Sequence, residues 1–231
     1  MGWFTKAAKS SVGAKFIMAL TGVILVGFVF GHMSGNLLVF AGQQAYNDYA
    51  AMLKGMGGIL WAVRGALLAA VLLHILSGMR LAAINRAARP VAYAKKRHLE
   101  AKLSGRTMAL SGLLLFAFIV YHLLHFTVGV THPEHFALRD SLGRHDVYSM
   151  FVRGFQDPAV SASYMVAVVL LGMHLSHGIS SMFQSLGLNT PKYEPVIKAL
   201  GPALSIIVVL GNFSMPIAVM AGYIAMPGVN G

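Results

Sequence analysis

The sequence predicts an all-α integral membrane protein of five transmembrane helices with a cytoplasmic N-terminus, and three observations carry that prediction. Hydrophobic residues make up 57% of the 231 positions and charged residues only 11%. Five stretches each supply the roughly 20 apolar residues that a helix needs to cross a hydrocarbon core about 30 Å thick. Lys and Arg, finally, gather in alternate connections rather than along one face.

The spans fall near 15–38, 58–80, 107–130, 160–186 and 199–224, within a single transmembrane domain over 1–231. The first follows Lys6, Lys9 and Lys15 and imitates a signal peptide, but its apolar run continues past His32 without a cleavage signature, so it is read as a helix. Small residues recur inside the spans (Gly22, Gly27, Gly31, Gly78, Gly112, Gly172, Gly178), which suits close helix approach or contact with a flat ligand. The longest connections, near 39–57 and 131–159, carry Gln43, Gln44, Tyr46, Asn47 and Asp48, then His132, Glu134, His135, Arg139, Asp140, His145 and Asp146. They are expected to form short amphipathic segments on the membrane surface.

Thirteen of the 18 Lys and Arg precede the first span or lie in the second and fourth connections, where Arg80, Arg86, Arg89, Lys95, Lys96, Arg97, Lys102, Arg106, Lys192 and Lys198 are found. The positive-inside rule therefore puts the N-terminus in the cytoplasm and, with five spans, the C-terminus outside. The same distribution accounts for the net charge of +11 without nucleic acid. The basic stretch Arg86 to Arg106 equally suits contact with anionic lipid headgroups. A chain with no cysteine has no disulfide, no thiolate-held iron–sulfur cluster and no covalent haem attachment of its own.

Six of the ten histidines fall inside the spans: His32, His74, His122, His125, His174 and His177. An ionisable side chain in hydrocarbon is costly and marks a functional site by default. Any one of them alone is as readily a hydrogen bond to a neighbouring helix, but at least one on each of the first four spans is hard to explain so. At about 1.5 Å of rise per residue, His32 and His122 lie roughly 6–10 Å outward of their midpoints, and His74 and His174 roughly 4–6 Å inward. Two pairs at two levels are what two bis-histidine haems between four helices require, whereas zinc gathers three or four ligands at one level. Gly78 and Gly178 each follow a histidine by four residues on the same helical face, leaving room for a plate. His125 and His177, three residues after His122 and His174, can replace them as ligands; depth favours the earlier residue of each pair. His98, His132, His135 and His145 are read as solvated surface histidines.

The segments Lys15 to Gly22, Gly31-His32-Met33-Ser34-Gly35-Asn36-Leu37 and Ala45-Tyr46-Asn47-Asp48-Tyr49-Ala50, with Tyr121-His122-Leu123-Leu124-His125-Phe126, His174-Leu175-Ser176-His177-Gly178 and Gly187-Leu188-Asn189-Thr190-Pro191, form a specific combination. It resembles the cytochrome b558 membrane subunit of bacterial succinate:quinone oxidoreductases, over most of the chain. The resemblance implies a four-helix haem-binding bundle plus a fifth helix, with an outer haem b on His32 and His122 and an inner haem b on His74 and His174. It also implies a multi-pass subunit of the bacterial cytoplasmic membrane, partnered by a flavoprotein and an iron–sulfur subunit that carry the FAD and the clusters. Such an anchor relays electrons in succinate dehydrogenase or fumarate reductase and reacts with menaquinone or ubiquinone. Some diheme fumarate reductases carry a glutamate two residues before the fourth-helix histidine; here that position is Gly172, so a carboxylate proton path is not expected.

Ser34, Asn36, Gln43, His125 and Thr127 are the candidates to meet a quinone, since its carbonyls need hydrogen-bond donors and its reduction a proton source. Arg80 and Arg153 are candidates to pair with haem propionates. Rival readings are the cytochrome b subunit of another membrane dehydrogenase or hydrogenase, a haem-free transporter whose histidines relay protons, and a purely structural anchor.

Overall fold

Hydrocarbon offers no water to a peptide group, so each crossing segment must satisfy its own N–H and C=O groups, which the α-helix does. The computed structural model describes residues 10–88, 105 and 107–228, and among them the β-type pairing is confined to an isolated bridge between Arg139 and His145. The elements are α1 (Ser11–Asn36), a 3-10 turn (Leu37–Ala41), α2 (Gln43–Gly55), α3 (Gly58–Ala87), α4 (Met108–His122) running into a π turn (Leu123–Val128), the single turn α5 (Pro133–Phe136), α6 (Val147–Gln156), α7 (Pro158–Ser185) and α8 (Glu194–Met220). Five of these, α1, α3, α4 with its π turn, α7 and α8, are long and apolar enough to cross a membrane. Their outward faces carry side chains such as Phe16, Ile24, Leu72, Leu76, Leu113, Val166, Ile206 and Leu210 exposed on the chain, as a lipid-facing surface requires. The protein is an all-α, multi-pass membrane protein. Lys6, Lys9, Arg89, Lys95, Lys96, Arg97, His98, Lys102 and Arg106 lie outside the described residues.

The helix ends differ from the predicted spans for local reasons. α3 outlasts the apolar run by about two turns because Leu81, Ala82, Ala83, Arg86 and Ala87 are strong helix formers, so the backbone ladder continues where hydropathy stops. α8 starts earlier, with Glu194 and Pro195 suiting a first turn, and stops at Met220. There Gly222 takes φ 75°, which lets Tyr223 N–H reach the Ala218 carbonyl at 2.9 Å and closes the last turn. α7 ends in the same way, with Gly187 at φ 73° and Leu188 N–H on the Phe183 carbonyl at 3.0 Å.

The chain forms two compact units. Unit 1 comprises 1–28, 64–113 and 172–205; unit 2 comprises 29–63, 114–171 and 206–231. In unit 1 the buried positions are mostly small or hydroxylated: Ala14, Ala19, Thr21, Ala70, Ser77, Ser111 and Ser205, with Leu81, Leu175, Ile179 and Ile197. Unit 2 is built around large rings instead, with Tyr46, Tyr148, Phe151, Phe155 and Tyr164 packed with Val39, Val152, Val160, Met215, Val219 and Ile224. α6, expected to lie on the membrane surface, is buried from Tyr148 to Val152 and again at Gly154 and Phe155. Its rings join the core of unit 2, while Arg153 and Gln156 stay exposed on the other face of a short amphipathic helix.

Candidate functional site

In unit 1, His74 on α3 and His174 on α7 face each other with ring centroids 6.3 Å apart and planes inclined at 60°. Each ring is held by a hydroxyl from another helix: Thr21 Oγ1 lies 3.1 Å from His74 Nδ1, and Ser111 Oγ lies 3.1 Å from His174 Nδ1. A hydroxyl has one proton. Thr21 Oγ1 has the carbonyls of Ile17 and Met18 at 2.8 and 3.1 Å to donate to, and Ser111 Oγ has that of Met108 at 3.1 Å. With each proton given to the hydroxyl's own helix, the oxygen presents a lone pair to the imidazole; Nδ1–H is then the donor and Nε2 keeps its lone pair. The residue after each hydroxyl is glycine. A Cβ on Gly22 would stand 3.7 Å from His74 Cε1, and one on Gly112 3.5 Å from His174 Cε1, so the rings lie against these two backbones with room for little more than a methyl.

In unit 2, His32 on α1 and His122 at the end of α4 pair at 5.7 Å between centroids and 84° between planes. The Asn36 amide Nδ2 donates to His32 Nε2 at 3.2 Å, while Asn36 Oδ1 accepts from Tyr46 Oη–H at 2.9 Å. The Tyr164 hydroxyl lies 3.3 Å from His122 Nδ1 and 3.0 Å from His125 Nδ1. His125, 3% exposed, stacks on Phe126 at 4.0 Å, and its Nε2 is buried without a hydrogen-bond partner. The ring that faces His32 is thus His122, and the ring that faces His74 is His174; His177 Nε2 is instead 3.0 Å from Ser181 Oγ.

Whether these pairs suit a haem can be judged from ring spacing. With metal–nitrogen bonds of about 2.0–2.1 Å and a nitrogen about 1.1 Å from the ring centre, two axial imidazoles stand about 6.3 Å apart centre to centre. The unit 1 pair has that spacing, and Nδ1–H donation to the two hydroxyls would leave both Nε2 atoms to iron. The unit 2 pair, at 5.7 Å, is tighter, and iron there requires Asn36 to release His32 Nε2.

The remaining candidates divide by what they touch. Gln43 Nε2 donates to Asp146 Oδ2 at 2.8 Å, and Asp146 Oδ1 also accepts from Asn47 Nδ2 at 2.9 Å and from the Ser149 N–H at 3.1 Å. Burial pushes the Asp146 carboxyl up, but the bonds from Ser149, Asn47 and Gln43 outweigh it and hold the group below the usual carboxylate range. Gln43 therefore helps tie α2 to the start of α6. Ser34 Oγ donates to the Phe30 carbonyl of its own helix at 2.9 Å. Thr127 lies in the π turn, Arg80 is half-buried on α3, and Arg153 is exposed on α6. Sequence reasoning missed Thr21, Ser111 and Tyr164; the signal available for the first two was a hydroxyl directly before a glycine within an apolar span. No family model, no curated protein and no solved structure matches this chain.

Proposed function

We propose that this chain is the diheme cytochrome b membrane-anchor subunit of a succinate:quinone oxidoreductase of the bacterial cytoplasmic membrane, partnered by a flavoprotein and an iron–sulfur subunit. The observation that carries the reading is the His74–His174 pair, spaced at 6.3 Å with each Nδ1 3.1 Å from a hydroxyl of another helix. His74 and His174 would hold one haem b and His32 and His122 the other, and when bound these groups supply one-electron transfer between the iron–sulfur partner and membrane quinone.

The chain's own side chains do the positioning. Thr21 and Ser111 fix the orientation of the unit 1 imidazoles and strengthen their basicity by accepting from Nδ1–H. Tyr164 positions His122 and His125 together. Of the residues proposed to meet a quinone, Gln43 and Ser34 are engaged elsewhere, whereas His125 offers an imidazole nitrogen with no other partner, beside Thr127 in the same turn. Arg80 and Arg153 remain the proposed propionate partners.

A reduced-minus-oxidised optical spectrum of the purified chain, with pyridine haemochrome quantification, tests the proposal. Two protohaems per polypeptide with low-spin b-type bands are expected, and co-purification with the flavoprotein and iron–sulfur partners should confer succinate-dependent reduction of those bands. A folded, membrane-inserted preparation without haem would overturn it.

A further inference from the structure

Between the π turn and α6 the sequence His132-Pro133-Glu134-His135 folds into one tight turn. The N–H groups of His135 and Phe136 both reach the His132 carbonyl at 3.1 Å, and Pro133 fixes the entry. The Phe136 ring folds back over Gly129, which takes φ 77°, and a Cβ there would collide with that ring. The two imidazoles lie 4.9 Å apart between centroids with planes inclined at 12°, and both approach the Glu134 carboxylate.

The distances satisfy a coordination site as well as an ion pair. His132 Nδ1 and His135 Nε2 both approach the same carboxylate oxygen, Glu134 Oε1, at 3.4 and 3.6 Å. These separations are too long for good hydrogen bonds, which run about 2.7–3.2 Å for N–H···O. They are close to the edge of a tetrahedron around one ion, about 3.3–3.4 Å for bonds of about 2.0–2.1 Å. All three ligand atoms lie within 4.8 Å of one another, and no other such group occurs among the described residues. Two imidazoles and a carboxylate are a borderline donor set, suited to zinc rather than to magnesium or calcium. Glu134 is two-thirds exposed, which leaves the fourth position to water.

We propose that His132, Glu134 and His135 form a binding site for a divalent transition metal of the zinc class, separate from the paired intramembrane histidines. The assignment does not depend on haem. The ring of His132 also packs 5.2 Å from that of His125, so a metal ion on this turn would stiffen the wall beside the buried His125.

Equilibrium dialysis of the full-length, tag-free chain against zinc chloride is the test, with cobalt(II) chloride as a spectroscopic probe. One saturable zinc per chain is expected. Loss of an outer partner of a metal ligand typically weakens affinity about 10–100-fold, so His132→Ala, His135→Ala and Glu134→Gln should each weaken binding at least about tenfold. His145→Ala, altering a histidine near Phe136 but outside the group, should leave zinc binding unchanged. Cobalt should give the intense visible bands of four-coordination. Unsaturable binding, wild-type affinity in the His132 and His135 variants, or the weak bands of octahedral cobalt would each overturn the proposal. Should an alanine variant fail to fold, the exposed Glu134→Gln change still decides the matter, since wild-type affinity there removes the carboxylate from the site.

Discussion

Each unit of the molecule brings two histidines from different helices together, but the surroundings of the rings differ. Unit 1 uses small residues: one hydroxyl fixes each imidazole and one glycine lets it lie against a backbone. Unit 2 uses bulk: Tyr164 is packed edge-on by Phe118 and Phe155 at 4.9 and 5.0 Å and serves two histidines from one hydroxyl. The lesson is that imidazole orientation can be set by hydrogen bonds across a sparse interface or by the shape of an aromatic core. The first makes each ring depend on one named partner, while the second spreads the dependence over many contacts.

Removing a ring breaks the comparison most severely. His74→Ala or His174→Ala should abolish one of two haem equivalents, whereas His177→Ala, whose ring turns to Ser181, should keep both; pyridine haemochrome counts them. Loss of a haem in His177→Ala with full content in His174→Ala would reverse the ligand assignment on α7. Next come the hydroxyls. Thr21→Val and Ser111→Ala delete the acceptors of the Nδ1–H bonds and should release haem to an excess of haem-free globin about 10–100-fold more readily, with Thr21→Ser restoring retention. Tyr164→Phe, its ring still locked by Phe118 and Phe155, should cost unit 2 less than either change costs unit 1.

The Asp146 hub gives a smaller, pH-dependent effect. Because its carboxyl sits below the ordinary value, its contribution is fully present above the unfolded pKa of about 3.9 and is lost as pH falls through the lower folded value. Thermal unfolding in detergent should show wild-type stability declining below about pH 4. Asp146→Asn should be about 1–3 kcal/mol less stable at neutral pH and show a shallower acid limb, because one amide cannot accept from Gln43, Asn47 and Ser149 together. Smallest of all, Ser34→Ala should change the unfolding free energy by less than about 0.5 kcal/mol, since its exposed hydroxyl bonds only its own helix.

The five helices were legible in the sequence because length and hydropathy are properties of a single segment. The histidines were legible for a related reason: a polar ring in an apolar run stands out without knowledge of its neighbours. Thr21 and Ser111 did not stand out, since serine and threonine are common in membrane helices and often bond their own carbonyls, as both do here. Only the fold reveals that the leftover lone pair meets a ring more than fifty positions away. Gln43 looked like a donor for a ligand because its partner, Asp146, lies 103 residues along the chain. α6 was legible in part: a short amphipathic segment was expected there, but that its apolar face packs with Tyr46, Phe126 and Tyr164 shows only in the fold.

Tyr164 carries one proton between two imidazoles, and that count has a consequence for their tautomers. If the proton points to His125 Nδ1, then His122 must supply the N–H on its side, and if it turns to His122 the requirement reverses. The two rings are thereby locked into complementary tautomers, like the two pans of a balance. With Nε2 of His122 committed to a metal, its Nδ1–H would donate to the Tyr164 oxygen and the phenolic proton would go to His125 Nδ1, so that ligation of one ring would set the tautomer of the other.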